Sequence, residues 1–180
     1  MNDRYLERAL FVVGNRHTDK STQLRSMFLD VRLGSNGQIP TERKPEDFHR
    51  LTNDRFLYLR LSSPHELEET LPGFLRKTKD KIDKAKTRFG RRWNFASALQ
   101  AQAVNNMPDV VETCEGFVDR FKPEPVRVIF LNPNRKDEFL DEKEVLGNAR
   151  RLRRIPVEVC WINAQDVAAN GLFLADFFAF

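Results

Sequence analysis

The segment from Gly14 to Thr22 combines residue types that bind phosphate groups in proteins. Lys20 supplies a positive charge, and the hydroxyl of Ser21 follows it directly. The apolar run Leu10–Val13 precedes the segment and an amphipathic helical pattern follows it. Because the first N–H groups of a helix lack partners within the helix, such a strand, loop and helix favour an anion at the loop. The sequence therefore predicts a phosphate-binding loop.

This segment resembles the Walker A loop of P-loop nucleotide-binding proteins, in which Gly, four residues, Gly and Lys precede Ser or Thr. Gly14, Lys20 and Ser21 are in place, and Asp19 stands where the second glycine belongs. The resemblance implies that ATP or GTP binds with Mg²⁺, that Lys20 is the catalytic cation at the terminal phosphates, and that Ser21 ligates the metal. The implied binding loop consists of Gly14, Asn15, Arg16, His17, Thr18, Asp19, Lys20, Ser21 and Thr22.

The carboxylate of Asp19 works against phosphate binding in two ways. A side chain with a Cβ atom obstructs the close approach of backbone to phosphate and strains dihedral angles that glycine adopts freely. Its charge also repels a phosphate by about 1–4 kcal/mol at a separation of ~4 Å. We therefore expect weak, Mg²⁺-dependent or absent nucleotide binding. In the alternative interpretation the segment is an ordinary strand-to-helix turn, with Gly14 at the bend and Asp19 capping the helix.

P-loop enzymes carry a further acidic residue at the end of another apolar strand, where it holds or orients the metal. Here Asn132 and Asn163 occupy the two expected places, so both carry a neutral amide. Glu66, just past another apolar run, and Asp166, shortly after Asn163, are candidate substitutes. Helix capping is the alternative role of Glu66, and a position on a surface helix is the alternative for Asp166.

Three functional hypotheses follow from these residues. The first is a nucleotide-binding P-loop protein, an ATP- or GTP-dependent phosphotransferase or NTPase with weakened activity. The second is a degenerate P-loop domain that binds or assembles without catalysis, which Asp19 and the two strand-end amides favour. The third is a nucleic-acid-associated domain that uses the basic segment Arg76–Arg92, although a net charge of +4 does not favour this partner. A lid over phosphates and a solvated helix face are the other interpretations of that segment.

Strands and helices alternate along the chain, which is typical of a parallel sheet covered by helices. Four apolar runs predict strands, at Leu10–Val13, Phe56–Leu61, Val126–Leu131 and Val157–Ile162. Two amphipathic patterns predict helices, one through Leu24, Met27, Phe28 and Val31 and the other through Val110, Val111, Cys114, Phe117, Val118 and Phe121. We expect a single α/β domain over residues 1–180, three-layered and P-loop-like, with a mostly parallel sheet and helices on both faces.

The segment Ser63–Glu66 has the form of a capping box with Pro64 at the first helical position. It predicts a helix that begins directly after the second strand. His65 is then expected to be an ordinary residue of the first helical turn.

Composition indicates one soluble chain of the cytoplasm. Its 180 residues, 41% of them hydrophobic, suffice for one buried core but not for two. Cys114 and Cys160 lie far apart and no Cys/His grouping has metal-ligand spacing, which suits a reducing compartment. The apolar run Ala9–Val13 is too short for a secretory signal or a membrane span. The aromatic C-terminal segment Gly171–Phe180 is expected to pack onto the sheet, with docking on a protein partner as the alternative.

Overall fold

The computed structural model describes residues 5–33, 36–41, 48–85 and 92–178. Its strands are β1 (Tyr5–Val13), β2 (Phe48–Arg50), β3 (Arg55–Arg60), β4 (Arg92–Leu99), β5 (Val126–Leu131) and β6 (Glu158–Ile162). They form one sheet in the order β2-β3-β4-β1-β5-β6. Neighbouring strands are parallel except β2 and β3, which pair antiparallel. The prediction of a mostly parallel α/β sheet is confirmed.

Five α-helices cover the two faces of this sheet in the described ranges. They are α1 (Lys20–Ser26), α2 (Leu71–Lys84), α3 (Val110–Phe121), α4 (Glu142–Leu152) and α5 (Val167–Asp176). The helices α1 and α5 pack on one face, where Leu24 and Leu174 join one core. The helices α2, α3 and α4 pack on the other face, where Phe74, Phe117 and Val145 join a second core. Across the described ranges, no helix is long and apolar enough to cross a membrane.

The central strand β1 shows why the sequence reads as a continuous apolar run there. Leu10 and Val12 point into the core beneath α1 and α5, whereas Phe11 and Val13 point into the opposite core. All four side chains are fully buried. Successive side chains of a strand alternate between faces, so a strand that is covered on both faces is apolar at every position.

Two strands, β2 and β4, are not predicted by the apolar runs. The β4 strand lies between β3 and β1 and is almost entirely buried, yet its sequence includes Asn94 and Ser97. Asn94 Nδ2 donates to the Phe56 carbonyl oxygen at 3.4 Å, and Ser97 Oγ donates to the Ala98 carbonyl oxygen at 3.2 Å. These polar side chains interrupt the apolar run that would otherwise mark a central strand.

The first helix is shorter than its amphipathic pattern predicts. Leu24, Met27 and Phe28 are buried as expected, but Val31 is 69% exposed. The chain leaves the helical path at Asp30, whose backbone is extended, and the Asp30 carboxylate accepts a hydrogen bond from the Arg32 N–H at 2.9 Å. Hydrogen bonds between an aspartate carboxylate and a backbone N–H two residues further along the chain compete with the continuation of a helix.

The aromatic C-terminal segment packs against the sheet, as expected. Leu174, Ala175, Phe177 and Phe178 are buried in the core on the α1 face, whereas Leu172 and Phe173 are exposed on the outside of α5. Residues 179 and 180 lie outside the described ranges.

Candidate functional site

The predicted phosphate loop lies where the connections of two neighbouring strands part. The chain leaves β1 for α1 on one face of the sheet and leaves β4, next to β1, for α3 on the other face. Such a divergence opens a crevice at the carboxyl ends of parallel strands, which is where open α/β sheets usually bind ligands. Residues 14–19 cross the edge of this crevice between β1 and α1.

The sign of φ alternates along the backbone of the loop. His17 and Asp19 adopt φ values of +62° and +60°, whereas Thr18 between them is not left-handed and Lys20 begins the helix. Successive N–H groups in such an alternation converge on one point, which forms a nest for anions. Within the described part of the chain, the N–H groups of residues 15–22 find no hydrogen-bond acceptor. They remain available to a ligand.

Asp19 holds a left-handed conformation without capping the helix that it precedes. Its backbone carbonyl oxygen accepts from Gln23 N–H at 3.0 Å, but its carboxylate makes no capping hydrogen bond. Asp19 thus occupies the N-cap position, as the alternative interpretation expected, but without a side-chain capping hydrogen bond. A non-glycine residue at a positive φ is uncommon, although aspartate tolerates it better than most residues. Position 19 thus has a left-handed backbone conformation, which glycine adopts more easily than aspartate.

The Lys20 ammonium is held inside the loop. Its side chain is 4% exposed, its Nζ donates to the Asn15 carbonyl oxygen at 2.6 Å, and the Glu66 Oε1 lies 3.5 Å away. Burial lowers the pKa of Lys20, and the negative charge of Glu66 opposes that shift. The ammonium is therefore held between the Asn15 carbonyl oxygen and the Glu66 carboxylate.

A cleft of about 370 Å³ opens at this loop. It is lined by Arg16, His17, Thr18, Asp19, Lys20, Ser21, Leu61 and Glu66. Six of the nine predicted loop residues thus border one space, while Gly14, Asn15 and Thr22 do not line it. The volume lies within the range of small-molecule sites, which is roughly 300–1,000 Å³.

The oxygen donors in the cleft are too few to hold Mg²⁺ without phosphate oxygens as further ligands. Ser21 and Glu66 line the same space, one on α1 and the other in the turn after β3. Among the described residues, no group of three or more His, Cys, Asp or Glu side chains could hold a metal ion. Mg²⁺ is ordinarily bound by one or two protein ligands together with waters and substrate phosphates. Ser21 and Glu66 fit that pattern.

Glu66 reaches the cleft because the predicted helix at Ser63 does not form. Residues 63–68 make a compact turn instead, in which Glu66 N–H donates to the Ser63 carbonyl oxygen at 3.0 Å. The helix begins at Leu71, where the Thr70 hydroxyl caps it by accepting from Gly73 N–H at 3.2 Å. The capping-box expectation is therefore wrong, and the turn directs Glu66 towards Lys20.

His65 is a fully buried residue of this turn rather than a first-turn helical residue. Its Nε2 donates to the Pro108 carbonyl oxygen at 2.8 Å, and its Nδ1 lies 3.1 Å from the Ser63 hydroxyl and 3.5 Å from Gln100 N. A carbonyl oxygen only accepts, so Nε2 carries a proton. The Gln100 N–H only donates, so Nδ1 accepts and the imidazole is neutral. His65 thereby ties the turn to the loop that follows β4.

The two strand-end amides and Asp166 have structural partners. Asn132 Oδ1 accepts from Leu140 N–H at 3.1 Å, and Asn163 Oδ1 accepts from Gln165 N–H at 2.9 Å. The Asp166 carboxylate caps α5 by accepting from Ala169 N–H at 3.1 Å. Of the two substitute acids considered from sequence, Glu66 joins the candidate site and Asp166 does not line it.

Gln23 is a residue of the site region that sequence reasoning missed. It is fully buried on α1, its Nε2 donates to the Ala164 carbonyl oxygen at 2.7 Å, and its Oε1 accepts from Asn170 Nδ2 at 3.1 Å. These bonds fasten the loop after β6 to the helix that carries Lys20. In the sequence, only its position beside Leu24 indicates that Gln23 is buried. This position does not indicate which groups Gln23 hydrogen-bonds.

The described part of the basic segment lies away from the loop. Lys79 and Ile82 border a separate cavity of about 330 Å³ together with Tyr5 and Leu6, at the beginning of β1. The phosphate loop follows the opposite end of β1, so this part of α2 cannot act as a lid over it. Lys79 pairs with Asp83 one turn further along α2, as on a solvated helix face, and Lys77 pairs with the buried Glu69, which precedes α2. Residues 86–91 of the segment lie outside the described ranges.

Comparisons with protein-family models, with curated proteins and with solved structures found no match for this chain.

Proposed function

We propose that the cleft beside residues 14–22 binds the phosphates of a nucleoside triphosphate, ATP or GTP, together with Mg²⁺. The observation that carries this proposal is the buried Lys20 ammonium beside a backbone that alternates between positive and negative φ. A lysine charge and converging N–H groups are the two elements that hold phosphate in sites of this kind. The position at the carboxyl ends of the central strands supports the same ligand class.

Two oxygen donors of the cleft are the metal ligands in this proposal. Ser21 and Glu66 would share Mg²⁺ with the terminal phosphate oxygens, and Lys20 would neutralise charge on the same phosphates. Asp19 opposes this arrangement because its carboxylate also lines the cleft. The expected affinity is therefore modest and depends on the metal.

Isothermal titration with ATP and GTP in Mg²⁺ tests the proposal. The natural protein is expected to release heat at millimolar nucleotide or below, and Lys20→Met is expected to lose that heat. Lys77→Met is the matched control, because it removes an ammonium that pairs with Glu69 outside the cleft. If neither the natural protein nor the control variant binds nucleotide, the proposal is wrong.

A second candidate function is nucleotide binding without turnover, as in a binding or assembly module. The strand-end amides favour it, since Asn132 and Asn163 take part in structural hydrogen bonds and bring no carboxylate to the cleft. Release of inorganic phosphate from ATP and GTP distinguishes the two candidates, with Lys20→Met as the background. An appreciable rate in the natural protein excludes the module, whereas binding without phosphate release excludes an NTPase.

A further inference from the structure

The formal charges that line the cleft cancel one another. Arg16 and Lys20 contribute two positive charges, and Asp19 and Glu66 contribute two negative charges. The Lys20 ammonium is already paired with Glu66 at 3.5 Å. An anion that enters this cleft therefore meets no net attraction until the pair of Lys20 and Glu66 is broken.

Glu66 is placed so that it can change partners. Its side chain is 33% exposed and sits on a turn, whereas the Lys20 side chain is 4% exposed and is fixed to the Asn15 carbonyl oxygen. Rotation of the Glu66 carboxylate away from Lys20 leaves the ammonium in the loop with one partner. The mobile member of the pair is thus the carboxylate, and carboxylates are preferred ligands of Mg²⁺.

Free and metal-bound nucleotide meet this pair differently. A triphosphate without metal must displace Glu66 from Lys20 and then lie beside a carboxylate that has lost its cation. A triphosphate that carries Mg²⁺ brings two positive charges, which can hold the displaced carboxylate. Without the metal, the Glu66 carboxylate repels the phosphates, whereas with the metal it can bind Mg²⁺.

We propose that Glu66 exchanges Lys20 for Mg²⁺ when nucleotide enters the cleft, and that this exchange makes nucleotide binding depend on the metal. The inference rests on the proposed function and adds the residue that couples the metal to the nucleotide. It differs from the simple role of a metal ligand because Glu66 also blocks Lys20 when no metal is present.

The test compares the dissociation constant of ATP in excess Mg²⁺ with that in EDTA. Glu66→Gln has the same shape and lacks the charge, so ATP binding in EDTA should strengthen and binding in Mg²⁺ should weaken. One unit charge near the ligand changes an affinity on the order of tenfold, so the ratio of the two constants should fall about tenfold or more. Glu68→Gln is the matched control, because Glu68 is exposed on the same turn and does not line the cleft.

The outcomes separate the two proposals. If ATP binds but Glu66→Gln keeps the ratio of the natural protein and of Glu68→Gln, the exchange is wrong and the proposed function stands. If ATP binds neither the natural protein nor Glu66→Gln in either condition, both proposals are wrong. A thermal unfolding curve for each variant verifies that the compared proteins are folded.

Discussion

The hydroxyl of Thr18 occupies the space that a side chain on Gly14 would need. A Cβ atom at position 14 would lie 2.4 Å from Thr18 Oγ1 and 3.3 Å from Thr18 Cβ. The same hydroxyl donates to the Asn15 carbonyl oxygen at 2.8 Å, so it is fixed in that place. Gly14 is not among the residues with positive φ. The first glycine of the loop is therefore required for space and not for an unusual dihedral angle.

This contact predicts that Gly14→Ala destabilises the protein and that Thr18→Ala relieves the damage. Overpacking of a buried site lowers the free energy of unfolding by about 1–3 kcal/mol, and we expect a loss of that size for Gly14→Ala. Thr18→Ala removes the hydroxyl that clashes, and it loses about 1 kcal/mol with the hydrogen bond to Asn15. The double variant should therefore lose less free energy of unfolding than the sum of the two single losses. Urea unfolding of the four proteins measures this, and strict additivity would contradict the contact.

Variants of Asp19 separate the effect of its charge from that of its backbone. Asp19→Asn and Asp19→Gly both remove the charge and suit a left-handed residue, so each should raise ATP affinity about tenfold. Asp19→Ala also removes the charge, but alanine tolerates φ of +60° poorly and should lose about 1 kcal/mol of stability. Titration with ATP and thermal unfolding measure the two effects. Equal affinities in Asp19→Asn and the natural protein would show that the carboxylate does not repel the ligand.

Two helical glycines differ in the space around them, and this difference predicts opposite effects of alanine substitution on stability. A Cβ atom at Gly171 would lie 2.1 Å from the Ser26 carbonyl oxygen, so Gly171→Ala must push the helices apart. We expect a loss of about 2–3 kcal/mol in the free energy of unfolding. A Cβ atom at Gly147 in α4 would meet nothing within 4 Å, so Gly147→Ala should gain about 0.5–1 kcal/mol. Denaturant unfolding of both variants tests the packing, and a neutral Gly171→Ala would contradict it.

Burial of His65 predicts a loss of stability in acid. Burial lowers the pKa of His65 below its ordinary value of 6.5, and protonation of Nδ1 would also remove it as acceptor for Ser63 and Gln100. Above pH 6.5 the imidazole is neutral in both states and this effect is absent. As the pH falls below 6.5 the unfolded chain takes up the proton first, so stability decreases until the pH reaches the pKa in the folded protein.

The measurement is the free energy of unfolding from pH 7.5 to pH 5. One proton contributes at most about 1.4 kcal/mol per pH unit to the slope. His65→Gln should have a shallower slope in this range, whatever its stability at pH 7.5. His17→Gln is the matched control because His17 is exposed at the cleft. Equal slopes in the natural protein and His65→Gln would rule out His65 as the titrating group.

The sequence by itself determined the elements that depend on neighbouring residues. The apolar run Leu10–Val13 and the residues after it predict a strand, a loop and a helix because each of these is set by local pattern. The pattern that begins at Val110 predicts α3, which the Asp109 carboxylate caps by accepting from the N–H groups of Val111 and Glu112. The alternation of such elements also predicts the class of the sheet.

Local pattern was misleading where a residue had a stronger distant partner. Ser63–Glu66 has the form of a capping box, yet His65 is buried against Pro108 and Gln100. The helix begins only at Leu71, after its N-cap residue Thr70. The bonds of His65 join segments that are far apart in the chain. No spacing rule within four residues can include them.

Only the tertiary structure decided which residues meet at the loop. Glu66 reaches Lys20 because β4, which the apolar pattern did not predict, pairs with both β3 and β1 and so sets where the turn after β3 lies. Strand order is a property of the whole sheet, and residues in contact across it share no periodicity along the chain. The loop and Glu66 as a candidate acid could therefore be predicted from the sequence, whereas the pairing of Glu66 with Lys20 could not.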